Sequence, residues 1–321
     1  MRKPKVYITR RLPDEVVNAY KEYLDIEMWS KEDEPVERKV LIEQAQSSQG
    51  LMTMLTENVD DQILKQSDNL SIVANMAVGY DNIDVKAAER LGIAVTNTPD
   101  VLTETTADLT FGLLMATARR MMEASQYIKQ NKWEHWSPLM LAGTDIHGKT
   151  IGIVGMGRIG EAVAKRAIGF GMSVLYYNRS RKSEVEDTLG VRYEGFEELL
   201  AQADYVVCLT PLTEETKHMF NKDAFQRMKP EAFFINASRG ATVDEQALYE
   251  AIIKKEIAGA GLDVFEKEPI SSQHPLLSRP EVVCLPHIGS ATKETRYKMM
   301  KLSLDNLVNH FQGKPLLTPV P

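Results

Sequence analysis

A chain of 321 residues is long enough for two domains, each with its own buried core. Its 43% hydrophobic and 26% charged residues fit an ordinary globular protein, and a net charge of −7 excludes a general nucleic-acid binder, which would carry a basic face. Cys208 and Cys284 lie in apolar runs and read as reduced, strand-buried thiols, which implies a cytoplasmic protein. The N-terminus lacks a signal-peptide pattern and no apolar run reaches membrane-spanning length, so no membrane association is expected.

In chain order, "KVYIT" precedes a helical "PDEVVNAYKEY", "GLMTM" precedes "VDDQILKQ", and "LSIVANM" precedes "NIDVKAAERLG"; "IAVTN" then closes the series. Strand–helix alternation of this kind predicts a parallel α/β sheet. A single helical pattern follows over 102–122, with Thr103 as its cap. A second series from Thr150 to about Leu285 holds six apolar runs, "IGIVG", "SVLYY", "YVVCL", "FFINA", "GAGLDV" and "VVCLP". Six strands suit a dinucleotide-binding domain. One helical segment remains, "KETRYKMMKLSLDNLVNHFQ", which must pack on something already built. Pro319 and Pro321 end the chain in a tail with no structure evident from sequence.

The second series opens with Gly155, Gly157 and Gly160 between an apolar strand and a helix-periodic stretch. A bare glycine triplet is a weak signal, but strand before and helix after make it a phosphate-binding turn. Gly155 makes the tight turn, Gly157 admits a pyrophosphate to the backbone, and Gly160 lets the helix approach the strand. An acidic residue at the end of the next strand would grip the ribose hydroxyls of NAD. That position, eighteen residues after Gly160, is the neutral Asn178, followed by Arg179, Ser180, Arg181 and Lys182. Guanidinium and hydroxyl groups there would bind a 2′-phosphate, so the turn reads as an NADP clamp; Lys182 reads as a solvated lysine.

Three further stretches follow strands: "NASRG" with Arg239, "LDVFEKEP" with Asp263, Glu266 and Glu268, and "LPHIGSAT" with His287. Each is weak alone, since a lone arginine is usually surface and a lone histidine is often structural. Together they supply a cation, a carboxylate and an imidazole. Reduction of a 2-oxo acid needs those three: an arginine to orient the carboxylate and polarise the carbonyl, and an imidazole to protonate the alkoxide. A carboxylate beside an imidazole favours its charged form.

With these motifs in this order, and with "NMAVGYDNID" and "NTPDVLTETTAD" ahead of them, nearly the whole chain resembles the D-isomer-specific 2-hydroxyacid dehydrogenases. The glyoxylate/hydroxypyruvate reductase branch is the most similar. The resemblance implies a Rossmann dinucleotide-binding domain (100–287) inserted in a flavodoxin-like substrate-binding domain (1–99 and 288–321), with catalysis in a closing cleft. It implies a catalytic set of Arg239, Glu268 and His287, with Glu268 preferred to Glu266 because it directly precedes Pro269. The substrate carboxylate would meet the backbone N–H groups of Val78 and Gly79. Cofactor contacts would fall on Thr106, Arg158, Ile159, Ala237, Ser238, Asp263, His287, Gly289 and Ser290, besides the glycine loop and the ribose turn. Thr210 and Pro211 would line the adenosine side. No metal is implied.

The resemblance also implies a homodimer formed largely by the 102–122 helix and the arm after it. In "NKWEHWSPLMLAG", Trp133 and Trp136 either anchor that arm in a core, or Trp136 reaches the neighbouring subunit's cleft. Leu51 and Met52, at the end of "GLMTML", suit a small substrate without a phosphate. The chain's end at residue 321 argues against the longer phosphoglycerate dehydrogenases that carry a regulatory domain. The expectation is NADPH-dependent reduction of glyoxylate or hydroxypyruvate, with NAD as a possible cofactor. A 2-ketogluconate reductase, a short phosphoglycerate dehydrogenase and a dinucleotide-sensing corepressor-like protein remain alternatives.

Overall fold

The computed structural model describes residues 2–320. The backbone divides into two compact units: one runs to Leu102 and resumes at Ala291, and the other spans Thr103–Ser290. Each boundary falls three residues beyond the position expected from sequence.

The first unit holds strands β1 (Lys5–Ile8), β2 (Asp25–Met28), β3 (Gly50–Thr53), β4 (Ile72–Asn75) and β5 (Ala94–Thr96). They form one parallel sheet in the order β2-β1-β3-β4-β5, the flavodoxin order. Strand β2, "DIEM", was not legible in the sequence because it lies at the sheet edge with only every second side chain partly covered. Helix Lys293–Phe311 belongs to this unit and is capped by the Thr292 side chain, which accepts from Thr295 N.

Residues 317–320 are ordered onto this sheet. Val320 N donates to Val95 O at 2.9 Å, and Thr96 and Pro319 form an antiparallel bridge at the β5 edge. Asn306, fully buried on the C-terminal helix, fixes the segment: its Oδ1 accepts from Leu317 N at 2.8 Å and its Nδ2 donates to Thr318 Oγ1 at 2.9 Å. The tail is therefore structured at least to Val320, contrary to the sequence reading; Pro321 lies outside the described residues.

The second unit contains β6 (Thr150–Val154), β7 (Ser173–Tyr177), β8 (Arg192–Tyr193), β9 (Tyr205–Cys208), β10 (Phe233–Asn236), β11 (Gly259–Leu262) and β12 (Val282–Cys284). Their order, β12-β11-β10-β9-β6-β7-β8, is the Rossmann order extended by one strand. Strand β8, absent from the six read in the sequence, is a two-residue edge piece too short to show a period.

Alternation along the central strands sends successive side chains into two cores. In β9, Val206 and Cys208 enter one while Tyr205 and Val207 enter the other; in β10, Phe234 is separated from Phe233 and Ile235 in the same way. The helix expected over 102–122 runs over Thr103–Ala118, breaks at Arg120 (φ 53°), and resumes as Met121–Lys129. Its first part buries Phe111, Leu113 and Leu114 in the core of its own unit, so those side chains are not available to a dimer contact.

Candidate active site

All the chemistry-bearing turns of the second unit leave the carboxyl ends of its strands. After β6 the chain turns at Gly155 (φ 108°), where a Cβ would lie 2.6 Å from the Leu209 carbonyl carbon. Gly160 sits so close to the turn that a Cβ would fall 2.3 Å from Gly155 O. Gly157, at the N-cap of helix Arg158–Gly169, has no such neighbour: a Cβ there would meet no atom within 4 Å. The loop is thus tight where it packs and open over the helix N-terminus, the cradle a pyrophosphate needs. Arg158 and Ile159 open the helix beside it, with Arg158 exposed.

The basic turn after β7 is organised by an acidic group. Arg181 lays its guanidinium on Glu186, with Nε–Oε1 at 2.8 Å and Nη2–Oε2 at 2.7 Å, and lies 6.0 Å from the centre of the Tyr193 ring. Tyr176 Oη donates to the same carboxylate at 2.7 Å and accepts from Lys182 N at 2.7 Å. Arg181 first, and then Tyr176, hold the Glu186 carboxyl down at about 2. Arg181 therefore braces the turn, and its expected contact with a 2′-phosphate competes with a two-point pairing to Glu186. Asn178 Nδ2 donates to Ser180 O at 2.9 Å, shaping the same turn, while Arg179 and Ser180 are exposed.

The turns after β10 and β11 meet at Gly240. A Cβ on Gly240 would overlap the Phe265 carbonyl carbon at 1.8 Å, so only glycine lets the Arg239 turn pass this close to the loop carrying Glu268. Two groups secure the turn through the Arg239 carbonyl, Asn236 Nδ2 at 3.0 Å and Thr242 Oγ1 at 2.7 Å. Ser238 Oγ donates to Thr210 O, joining the turns after β9 and β10; Ala237 and Ser238 are half-buried and Pro211 is exposed. Gly240 gave no signal in the sequence beyond its place in "ASRG".

Glu268 is gripped at both oxygens. Oε1 accepts from Phe265 N at 2.9 Å, and Oε2 stands 2.6 Å from His287 Nδ1. Both side chains are about one quarter exposed, 24% and 23%, so the pair is neither sealed nor freely solvated. Glu266, the alternative carboxylate, pairs instead with His218 Nε2 at 3.0 Å. His287 adopts φ 53°, and its N–H donates to Asp263 O at 2.8 Å.

Asp263 is almost fully buried; burial pushes its carboxyl up, although Ile288 N donates to Oδ1 at 2.7 Å and the Gly289 N–H opposes the rise. A Cβ on Gly289 would stand 3.1 Å from Asp263 Oδ2 and 3.5 Å from Thr106 Cγ2. Asp263 thus shapes the His287–Gly289 turn and draws it toward Thr106, beside half-buried Ser290. No group of His, Cys, Asp and Glu suited to a metal ion occurs among the described residues.

In the first unit the outcome is mixed. Val78 and Gly79 lie half-buried on the loop after β4. Leu51 is part of the sheet's apolar core and Met52 likewise exposes no surface, so neither presents an edge to a substrate; Met54 and Leu55, just beyond the strand, are half-exposed. Trp136 is 74% exposed and Leu139 82%, so within this chain the arm is not anchored in a core by Trp136.

The sequence and fold of known proteins agree with this arrangement. Residues 111–289 match the NAD-binding domain of the D-isomer specific 2-hydroxyacid dehydrogenases, and the chain belongs to that family. A glyoxylate reductase from Korarchaeum cryptofilum is 48% identical over 313 residues, covering 97% of this chain and 94% of its own. A solved protein of Thermus thermophilus is 40% identical with a TM-score of 0.92, covering 99% of this chain and all of that one. The NADPH-dependent glyoxylate/hydroxypyruvate reductase of Sinorhizobium meliloti, in complex with NADP and malonate, is 35% identical with a TM-score of 0.87, covering 99% of this chain and 97% of that one. The protein is an NAD(P)-dependent dehydrogenase acting on the 2-oxo acid/2-hydroxy acid couple.

Gly240→Ala tests the close approach. The added methyl must push the Phe265–Glu268 segment away, costing about 1–3 kcal/mol or more of stability as overpacking does. It should also release Glu268 from His287, so activity should fall further than the melting temperature alone explains. Wild-type activity and melting in this variant would refute the close approach.

Proposed function

We propose that the protein reduces small unphosphorylated 2-oxo acids, glyoxylate and hydroxypyruvate, to glycolate and D-glycerate, with NADPH preferred to NADH. The observation that carries this reading is the Glu268–His287 pair, 2.6 Å apart at the carboxyl end of a dinucleotide-binding sheet. A hydride for the carbonyl carbon is the chemistry that the reduced nicotinamide supplies when bound.

The chain's residues would do the rest. With Nδ1 held by Glu268, Nε2 is the ring nitrogen left to give a proton to the developing alkoxide, and Glu268 stabilises the imidazolium that precedes transfer. Phe265 N fixes the carboxylate, so the imidazole is oriented before substrate arrives. Arg239 would orient the substrate and polarise its carbonyl with its planar fork. In the first unit, the N–H groups of Val78 and Gly79 would receive a substrate carboxylate.

His287→Ala should lower kcat by roughly 10²-fold or more, as loss of a general acid does, and leave NADPH affinity nearly unchanged. The assay compares NADPH oxidation with glyoxylate, hydroxypyruvate and 2-ketogluconate. Turnover of 2-ketogluconate alone would point to the rival reductase, and undiminished turnover in the variant would remove His287 from the mechanism.

Preference for NADPH rests on Asn178, which offers the ribose diol no carboxylate, and on exposed Arg179 and Ser180. The NADP bound in the Sinorhizobium meliloti reductase supports it. Because Arg181 is committed to Glu186, Arg179→Ala should lower kcat/KM with NADPH by about tenfold, the lower end for one charged hydrogen bond at an exposed site. NADH kinetics should barely move, and Arg181→Ala should have the smaller effect on the cofactor ratio. Equal use of both cofactors by the wild type would defeat the assignment.

We propose further that the protein is a cytoplasmic homodimer. Met121, Met122, Ile128, Trp133, Trp136 and Leu139 are apolar side chains left exposed on consecutive segments of one unit, and two free thiols support a reducing compartment. Sedimentation at micromolar concentration should give twice the 36.1 kDa chain mass; a monomer would overturn the assembly and any role of Trp136 in a neighbour's site.

A further inference from the structure

On the function proposed above, the loop after β4 would meet its ligand with backbone groups, and backbone groups point where their peptide planes are turned. Three carbonyls of that loop are held from inside the first unit. Thr98 N donates to Ala77 O at 2.8 Å, Asn97 Nδ2 to Val78 O at 2.7 Å, and Asn75 Nδ2 to Gly79 O at 2.9 Å. In a planar trans peptide the N–H points opposite to the C=O. The carbonyls of Ala77 and Val78 are both drawn to the Asn97–Thr98 segment. The N–H groups sharing those two peptides, of Val78 and Gly79, must then point the other way, side by side.

Both asparagines are themselves built into place. Asn75, fully buried at the end of β4, accepts from Thr53 Oγ1 at 3.1 Å and donates also to Asn82 Oδ1 at 3.1 Å. Asn97 is tied to the C-terminal segment: its N–H donates to Thr318 O at 3.2 Å and its carbonyl accepts from Thr318 Oγ1 at 2.6 Å. Thr318 is in turn held by buried Asn306. A side-chain amide buried or half-buried with this many partners is a fixed strut.

We propose that Asn97, with Asn75, is a positioning residue for 2-oxo acid recognition: its amide sets the Val78 peptide so that two adjacent backbone N–H groups converge on the substrate carboxylate. The assignment rests on the reading that this loop receives a carboxylate, and it makes the C-terminal segment part of the apparatus for substrate affinity. Asn97 touches no substrate; it acts through the peptide it holds.

The test is Asn97→Ala, a half-exposed position where truncation leaves the sheet intact, with Asn97→Asp as a second variant of the same shape. Both lose the donor to Val78 O, and the aspartate also sets a carboxylate against that carbonyl. KM for glyoxylate and the inhibition constant of oxamate, a carboxylate analogue of the substrate, should rise together by about tenfold in Asn97→Ala and by more in Asn97→Asp, as loss of one hydrogen bond predicts. The value of kcat should stay within about threefold, and NADPH affinity should be unchanged. A merely structural role would lower the melting temperature and the active fraction without moving KM and the oxamate constant in step. Unchanged KM and oxamate inhibition in both variants, beside a wild type that binds oxamate, would overturn this assignment alone. A wild type that neither binds oxamate nor turns over any 2-oxo acid would overturn the underlying reading as well.

Discussion

Strands β6, β9 and β10 are covered on both faces, and that constraint orders the rest of the nucleotide-binding unit. A side chain in the middle of such a strand must be apolar or fully satisfied, because either face delivers it into a core. Polar chemistry is thereby driven to the strand ends. Thr210, Arg239, Asp263 and His287 each follow a strand at the same edge of the sheet, and the turns bearing them must pack on one another. Gly240 against Phe265 and Gly289 against Asp263 and Thr106 are the places where that packing is tightest.

The same constraint explains the Glu268–His287 pair. Glu268 could have been a mobile surface carboxylate, but Phe265 N and His287 occupy its two oxygens. Fixing the carboxylate fixes the imidazole, and Asp263 fixes the backbone from which the imidazole hangs. Orientation is thus established by groups that need not touch substrate, which is how a site avoids reorganising at the moment of proton transfer.

Much of this was legible because it rests on period and spacing. Apolar runs separated by helices identified ten of the twelve strands among the described residues; the two missed, β2 and β8, are edge pieces that bury little and so carry no hydrophobic signal. The glycine loop and the strand-end residues could be placed from chain order alone. What could not be read was how charges and side chains are spent. Arg181 looks identical to Arg179 in sequence, and only the fold brings Glu186, five residues on, under its guanidinium. Leu51 and Met52 looked close to a strand end, but one further turn of chain, Met54 and Leu55, is needed to leave the core. The 102–122 pattern looked like one helix because the break at Arg120 has no glycine or proline to mark it.

Backbone recognition is the hardest function to see in a sequence. The N–H groups of Val78 and Gly79 would be present whatever residues stood there; what differs is whether their peptides are held. That holding is encoded at a distance, in Asn75 and Asn97 and, through Thr318 and Asn306, in a terminal segment that carries no motif of its own. A peptide held at its carbonyl loses the freedom to rotate, so its N–H is offered to an anion without the entropy of ordering it on binding. Two such peptides in succession would offer a pair of neighbouring donors to one carboxylate group.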